Sequence, residues 1–386
     1  ALLRNGVEVK KGKIKRFNLD PRGRGVMQLP ASKWKMDDAE WAVTVSAHLK
    51  SATSWCEKGH RVAWEQFVLK AWNFESQKLA PSAAAPSVEE TAETYTLTSD
   101  NAVITFSKKS GTVATIVRDG KTIMTEGPRL DFWRAPIDND GTGLKARYVD
   151  GKMQVDGQGG RLTKWWDRAG YPYMKKDVKE IKCEKVEGNI VITVVSQMKS
   201  KAPDAGFNVV EVFTFNNEGH FSLNCDIQPY GSLVEVARIG YEMVMPKNLD
   251  RFDWYGKGPF DAYIDRKDGV ALGLYGGTVD EQFVNYIFPQ ENGNKYDVRW
   301  VSLTDGKGEG LTVSGNQPIE ANVRHYTTME LAEALHPYDL KPIDGSVLHI
   351  NYKMAPVGNE SCGPRALEEY VLYPKHWNFT IIFKLD

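Results

Sequence analysis

Ile190-Val-Ile-Thr-Val-Val195, followed by Val209-Val-Glu-Val-Phe-Thr-Phe215 and Phe221-Ser-Leu-Asn-Cys-Asp-Ile227, is a succession of β-branched, aromatic and alternating residues punctuated by Gly, Asn, Asp and Pro. Side chains on a strand alternate between two faces, so runs of this length and composition predict strands. Asn217-Glu-Gly219, between the last two, marks a turn. The pattern continues outward in both directions. Trp41 to Leu49, Asn101 to Phe106 and Phe379 to Lys384 read the same way, and Asn5-Gly6 between Leu2-Leu3 and Val7 to Val9 predicts a two-residue hairpin loop. Helical period is confined to Thr327-Thr-Met-Glu-Leu-Ala-Glu-Ala-Leu335, capped by Thr327 or Thr328, and one or two short helices are all that is expected. The chain reads as all-β.

The 386 residues are enough for two to three domains. From about Gln77 to Thr94, Pro, Ala, Ser and Glu displace the aromatic and β-branched residues. A linker is expected there, which divides the chain into residues 1–74, a linker at 75–94 and a domain at 95–386. The first part offers four or five strands, fewer than the roughly seven of a complete sandwich. The second holds more strands than one ordinary sandwich needs, and a very large double sheet is the simplest architecture. No repeat of 20 to 50 residues is present, which excludes solenoids and propellers.

Lys and Arg total 49 against 50 Asp and Glu, for a net charge of -1. A near-neutral chain lacks the basic footprint of proteins that bind nucleic acid or anionic lipid, so neither partner is expected. The longest apolar runs are strand-length, and Ala1 to Lys15 has no apolar core of the kind a secretory signal needs. Cys56, Cys183, Cys225 and Cys362 have no CxxC spacing, so free thiols are expected. His325, His336 and His349 can approach one another in a folded sheet, yet no HxH or HExxH spacing occurs and no metal site is expected. Gly306-Lys-Gly-Glu-Gly310 is followed by no helix start and is not a phosphate cradle. The 11 Trp, 16 Tyr and 15 Phe suit flat sugar rings and the cores of large sheets equally well.

Three stretches carry candidate chemistry, each with two readings. Trp133-Arg-Ala-Pro-Ile-Asp-Asn-Asp-Gly-Thr-Gly143 reads either as a loop bordering a sugar site or as a turn capped by Asp138, Asn139 and Asp140. Phe252 to Pro259 with Asp261-Ala-Tyr-Ile-Asp-Arg266 reads as a carbohydrate groove or as a tight corner in which Arg266 pairs with Asp261 or Asp265. Pro289-Gln-Glu-Asn-Gly293 with Arg299-Trp300 reads as a hydroxyl-binding loop or as one stitched by amide hydrogen bonds.

The motifs RAPIDNDGTG from Arg134, DWYGKGP from Asp253, YIDR from Tyr263, FPQENGN from Phe288, VRW from Val298, HPYDL from His336 and SCGP from Ser361 occur in this order. Together they resemble the C-terminal region of bacterial β-galactosidases of glycoside hydrolase family 2. Leu2 to Val7, Leu29-Pro30 and Trp55 to Gln66 resemble the immunoglobulin-like domain that precedes it. The resemblance implies a partial immunoglobulin-like β-sandwich followed by a large galactose-mutarotase-like β-supersandwich. It also implies that the catalytic glutamates lie on a (β/α)₈ barrel absent from this chain, so no catalytic residue is expected here and the fragment alone is expected to be inactive.

The resemblance further implies a substrate rim at Asp138, Asn139, Asp140, Gly141, Thr142, Gly143 and Cys362, the last standing where some relatives carry a sugar-stacking tryptophan. No cofactor is expected in this chain; a divalent or monovalent cation would belong to the barrel. The implied partners are a galactoside, that barrel on the same or a separate polypeptide, and further copies of the full-length enzyme. The implied compartment is bacterial cytoplasm or periplasm. Two rival readings are kept: a stand-alone carbohydrate-binding module with Trp133, Trp254 or Trp300 as platforms, and an aldose epimerase pairing Glu291 with His325 or His349.

Overall fold

The computed structural model describes residues 1–386 except 15–17, 31–33, 81, 142–145, 156–160, 202–203 and 359–363. The chain divides into two compact units, Ala1–Asn73 with Ala271–Leu274, and Phe74–Val270 with Tyr275–Asp386. In the first, β1 (Leu2–Arg4), β2 (Val7–Lys10), β3 (Trp41–His48) and β4 (Arg61–Lys70) form an antiparallel sheet in the order β2-β1-β3-β4. Asn5 and Gly6 both take positive φ, 46° and 79°, as a primed hairpin turn requires. Leu2, Trp41 and Val43 form its small core, while Val7, Val9, Phe67 and Val68 are exposed. Among the described residues this unit holds a single four-stranded sheet.

The second unit begins with a five-stranded meander: β5 (Ser87–Glu90), β6 (Thr94–Thr98), β7 (Ala102–Ser107), β8 (Thr112–Arg118) and β9 (Lys121–Met124). After β10 (Glu126–Asp131) comes a two-stranded ribbon, β11 (Ala146–Val149) with β12 (Lys152–Val155), and then α1 (Arg161–Ala169). Four long strands follow: β13 (Lys176–Val186), β14 (Asn189–Lys199), β15 (Gly206–Phe215) and β16 (Phe221–Tyr230). Then come β17 (Arg238–Met245), β18 (Arg251–Gly258), β19 (Ala271–Thr278, of which Ala271–Leu274 are counted with the first unit), α2 (Val279–Gln282), β20 (Lys295–Thr304) and β21 (Gly310–Arg324). α3 (Thr328–Glu333), β22 (Ser346–Met354) and β23 (Trp377–Leu385) complete the chain. The large sheet has twelve strands, with β10-β17-β22-β21-β23-β16-β15-β14-β13 as its spine and β18, β19 and β20 attached through β21.

One hydrophobic core joins this sheet to the meander. β14 alternates half-buried and buried residues along its length, so its Ile and Val side chains on one face are withdrawn from water. Phe106 of β7 meets Phe213 of β15 edge-on at 5.1 Å between ring centroids, and Phe221 stacks on Phe383 at 4.3 Å. Each such buried ring contributes about 1.5–3 kcal/mol relative to exposure. The architecture is all-β: three small sheets of four, two and five strands and one large sheet of twelve. Among the described residues no helix is long and apolar enough to cross a membrane.

Two local expectations are corrected. The stretch read as a linker at 75–94 contains β5, hydrogen-bonded to β6 from Ser87–Thr98 to Glu90–Tyr95. It escaped notice because only Val88 of its four side chains is withdrawn from solvent, so an edge strand here needs no apolar alternation. α1 was not foreseen either; Leu162, Trp165, Trp166 and Ala169 make an apolar stripe only two turns long, ended by Gly170 at φ 80°. The predicted helix at Thr327 is present, with the Thr327 hydroxyl accepting from Glu330 N at 3.1 Å.

Candidate functional site

Four loops of the larger unit converge. They follow β10, β18, α2 and β22, and they carry the RAPIDND, YIDR and FPQENGN motifs and the residues just ahead of SCGP. Arg134 is the pin between two of them. Its guanidinium donates to both carboxylate oxygens of Asp140, at 2.6 and 3.2 Å, and to the Pro356 carbonyl at 3.2 Å. Asn139 Nδ2 donates to Val357 O at 2.7 Å. Val357 and Gly358 in turn donate their backbone N–H groups to the Asp265 carboxylate, at 3.0 and 2.7 Å. Asp261 accepts from Gly293 N at 3.3 Å and pairs with Arg266 at 3.0 Å, so the corner reading of that stretch holds and Asp261 is the partner.

The rim residues separate by burial. Asp140 is 1% exposed, its carboxylate also accepting Ile137 N at 2.9 Å, and it closes the turn from inside instead of meeting a ligand. That placement corrects the expectation for Asp140: a carboxylate two residues along a short 3₁₀ turn does not share the face of Asp138. Asp138 is exposed and forms a reciprocal pair with Gln290, accepting from Nε2 and donating its backbone N–H to Oε1, both at 3.2 Å. Gly141 ends the turn at φ 88°, a left-handed value that a side chain would strain. Thr142, Gly143 and Cys362 lie outside the described residues.

Beneath the loops lies a buried network that the sequence reading missed. Glu291 Oε2 faces Arg238 at 3.3 Å and Arg324 at 3.4 Å, while Oε1 accepts from Asn322 at 3.0 Å. The same two arginines flank His349, Arg238 at Nδ1 (2.8 Å) and Arg324 at Nε2 (3.0 Å). Asp131 pairs with Arg238 at 3.2 Å, and Glu242 pairs with Arg129. Burial, reinforced by the arginine charges, holds His349 well below the ordinary histidine pKa. A neutral imidazole has a single accepting nitrogen, so it accepts from only one of the two arginines at a time, while Glu242 lies 3.6 Å from Nε2. Burial raises the Asp131 carboxyl despite Arg238; at Glu242 the arginine charges outweigh burial and lower it.

Asp131, Glu242 and His349 bring donor atoms within 4.8 Å of one another. They do not fit a cation. Three guanidinium groups already balance Asp131, Glu242 and Glu291, and both imidazole nitrogens face arginine N–H groups. The three histidines do not assemble either: His325 bonds Gly345 O, and His336 bonds Asp339. The network also removes the epimerase pairing, since Glu291 and His349 meet only through two arginines that occupy both. Trp133 and Trp254 are 3% and 2% exposed, Trp254 lying under the Lys295 ammonium at 4.6 Å, so neither is a sugar platform. Trp300 is half-buried. The signal for the network was charged residues inside strands, Arg238 in β17 and Arg324 in β21; which face they take is settled only by packing.

Residues 98–383 match the family described as β-galactosidase small chain, and residues 1–70 match β-galactosidase domain 4. The chain belongs to the β-galactosidase small-chain family. This small-chain member is 29% identical over 375 residues to a β-galactosidase of Priestia megaterium, covering 96% of this chain and 34% of that protein. It is 27% identical to one of Actinobacillus pleuropneumoniae, covering 92% and 33%. The chain thus spans about a third of the length of these relatives. The galactose 1-epimerase of Lactobacillus acidophilus NCFM aligns with 78% of this chain and 97% of its own, at 11% identity and a TM-score of 0.41, too distant to bear on chemistry.

Proposed function

We propose that this chain is the non-barrel, C-terminal portion of a β-galactosidase acting on terminal β-D-galactosides, supplying scaffold and a substrate rim while the catalytic glutamates lie outside it. The observation that carries the reading is the Arg134 junction. It ties segments more than 200 residues apart in sequence and leaves the Asp138 carboxylate, backed by Gln290, turned to solvent. A retaining glycosidase needs two accessible carboxyl groups roughly 5–5.5 Å apart, one protonated and one ionised. Asp131, Asp140 and Glu291 are buried against guanidinium groups and are not open to a substrate. In this reading the rim binds through Asp138 and Gly141, with Thr142, Gly143 and Cys362 as the further members that the resemblance implies, and bond cleavage belongs to the barrel.

In this reading the partners are the galactoside, the barrel on the same or a separate chain, and further copies of the complete enzyme. No cofactor is assigned to this chain, any required cation belongs to the barrel, and the compartment is bacterial cytoplasm or periplasm. The test is hydrolysis of a chromogenic β-galactoside by the purified chain, alone and mixed with a separately produced barrel region. Turnover only on mixing supports the reading. Turnover by the chain alone overturns it.

A further inference from the structure

A groove of about 620 Å³ opens in the larger unit, walled by β20, the middle of β21, the end of β22 and the segment carrying Tyr370. The volume falls within the roughly 300–1,000 Å³ of small-ligand sites. None of Asp138, Asn139, Asp140 or Gly141 lines it.

The β-ladder is broken where the groove lies. Trp300 pairs with Ser314 but Val298 with Ile319, so a two-residue step on β20 faces a five-residue step on β21, and a second irregularity separates Lys295 from Val298. The surplus residues place Gln317 and Pro318 in the groove wall, and the bulge on the facing strand presents Tyr296 and Asp297 to it, Asp297 at φ 53°. Bulges re-aim side chains, and a non-glycine residue in the left-handed region is an expense that folds retain where it is used.

The lining has a definite chemistry. Tyr296, Tyr352 and Tyr370 offer ring surface and hydroxyls, and Tyr352 is braced from behind by Phe379, stacked at 4.8 Å. Glu320 lies in the same wall, its oxygens accepting from Asn294 Nδ2 at 2.6 Å and Met354 N at 3.1 Å. No cation pairs with it among the described residues, and burial pushes its carboxyl up to about 8, so at neutral pH it is a protonated acid with a hydrogen to donate. Asp297, held by Arg299 at 2.8 Å, and Gln317 supply acceptors; Lys257 and Lys353 supply further donors.

Interleaved donors and acceptors beside aromatic surface match a ring that bears hydroxyls at its edge and C–H groups on its faces. A polyanion would meet Asp297 and Glu369 in the same wall, with no arginine fork among the described lining residues. A lipid chain would strand the lysines and carboxyls. We propose that this groove is a saccharide-binding site for a neutral mono- or disaccharide, held by the tyrosines and by the polar groups of Glu320, Gln317 and Asp297.

The test is saturation-transfer NMR and titration calorimetry on the full chain with D-galactose, D-glucose and lactose, and with inorganic phosphate as competitor. At least one sugar is expected to bind, with Tyr370→Ala and Glu320→Gln each weakening it about tenfold. Tyr370 is half-buried in a short 3₁₀ turn, so its variant keeps the fold and safeguards the test should Glu320→Gln perturb folding. Binding lost in Tyr370→Ala is assigned to the groove, whereas binding lost only in Asp138→Asn belongs to the rim, since Asp138 does not line the groove. No sugar binding at tens of millimolar, displacement by phosphate, or loss in Asp138→Asn with retention in Tyr370→Ala overturns the proposal.

Discussion

Glu291 and Glu320 are the same residue type at nearly the same burial, 3% and 6% exposed, in two regions of one unit. Glu291 has two guanidinium groups within 3.4 Å and an amide on its other oxygen. Glu320 has an amide and a backbone N–H and, among the described residues, no arginine partner, and its carboxyl is pushed up to about 8. The partner set, not burial, decides what a buried acid does. Under the loops it is locked into a charge-balanced brace; at the groove it stays neutral and able to donate a hydrogen.

The largest expected effect is on the brace. Arg238→Met leaves Asp131 and Glu291 each short of a buried cation, and breaking such a pair costs about 3–5 kcal/mol, measurable as a lower midpoint of urea unfolding. If the loss is under about 1 kcal/mol, the network is not a brace. Arg134→Lys comes next. Lysine cannot reach both Asp140 oxygens and Pro356 O at once, so a loss of about 1.5–3 kcal/mol is expected, with weaker activity in the reconstituted enzyme as the rim loosens.

The third prediction sharpens the comparison by pH. Glu320 binds its proton more tightly folded than unfolded, the value rising from 4.5 to about 8. The folded state therefore holds more protons between those limits, and stability falls as pH rises across the window by up to about 1.4 kcal/mol per unit, levelling off above it. Glu320→Gln is expected to flatten that slope in denaturation curves taken between pH 5 and about 8.5. An unchanged slope would mean that Glu320 titrates normally. The smallest effect is at the rim: Asp138→Asn changes stability by no more than about 0.5 kcal/mol while raising KM several-fold in the reconstituted enzyme.

Much of the fold was legible because its signals are local. The alternation of Ile190 to Val195 survives as β14, Asn5-Gly6 makes the primed turn, and Thr327 caps its helix, each within a few residues. β5 and α1 were missed because one withdrawn side chain, or a two-turn stripe, carries little period to detect. The seven motifs were visible as text, and three of them meet at one junction. Their individual roles were not visible: Asp138 and Asp140 look alike in sequence, yet one faces water and the other lies under Arg134.

The sequence by itself determined the strand-rich class, the hairpins, the caps and the near-neutral surface, since these follow from residues close along the chain and from composition. Tertiary structure alone decided which charges went inside and with whom. Arg238 meets Glu291 and Arg324 meets His349 across 53 and 25 residues. Pairings that depend on strand order and register leave no local trace in the order of the residues.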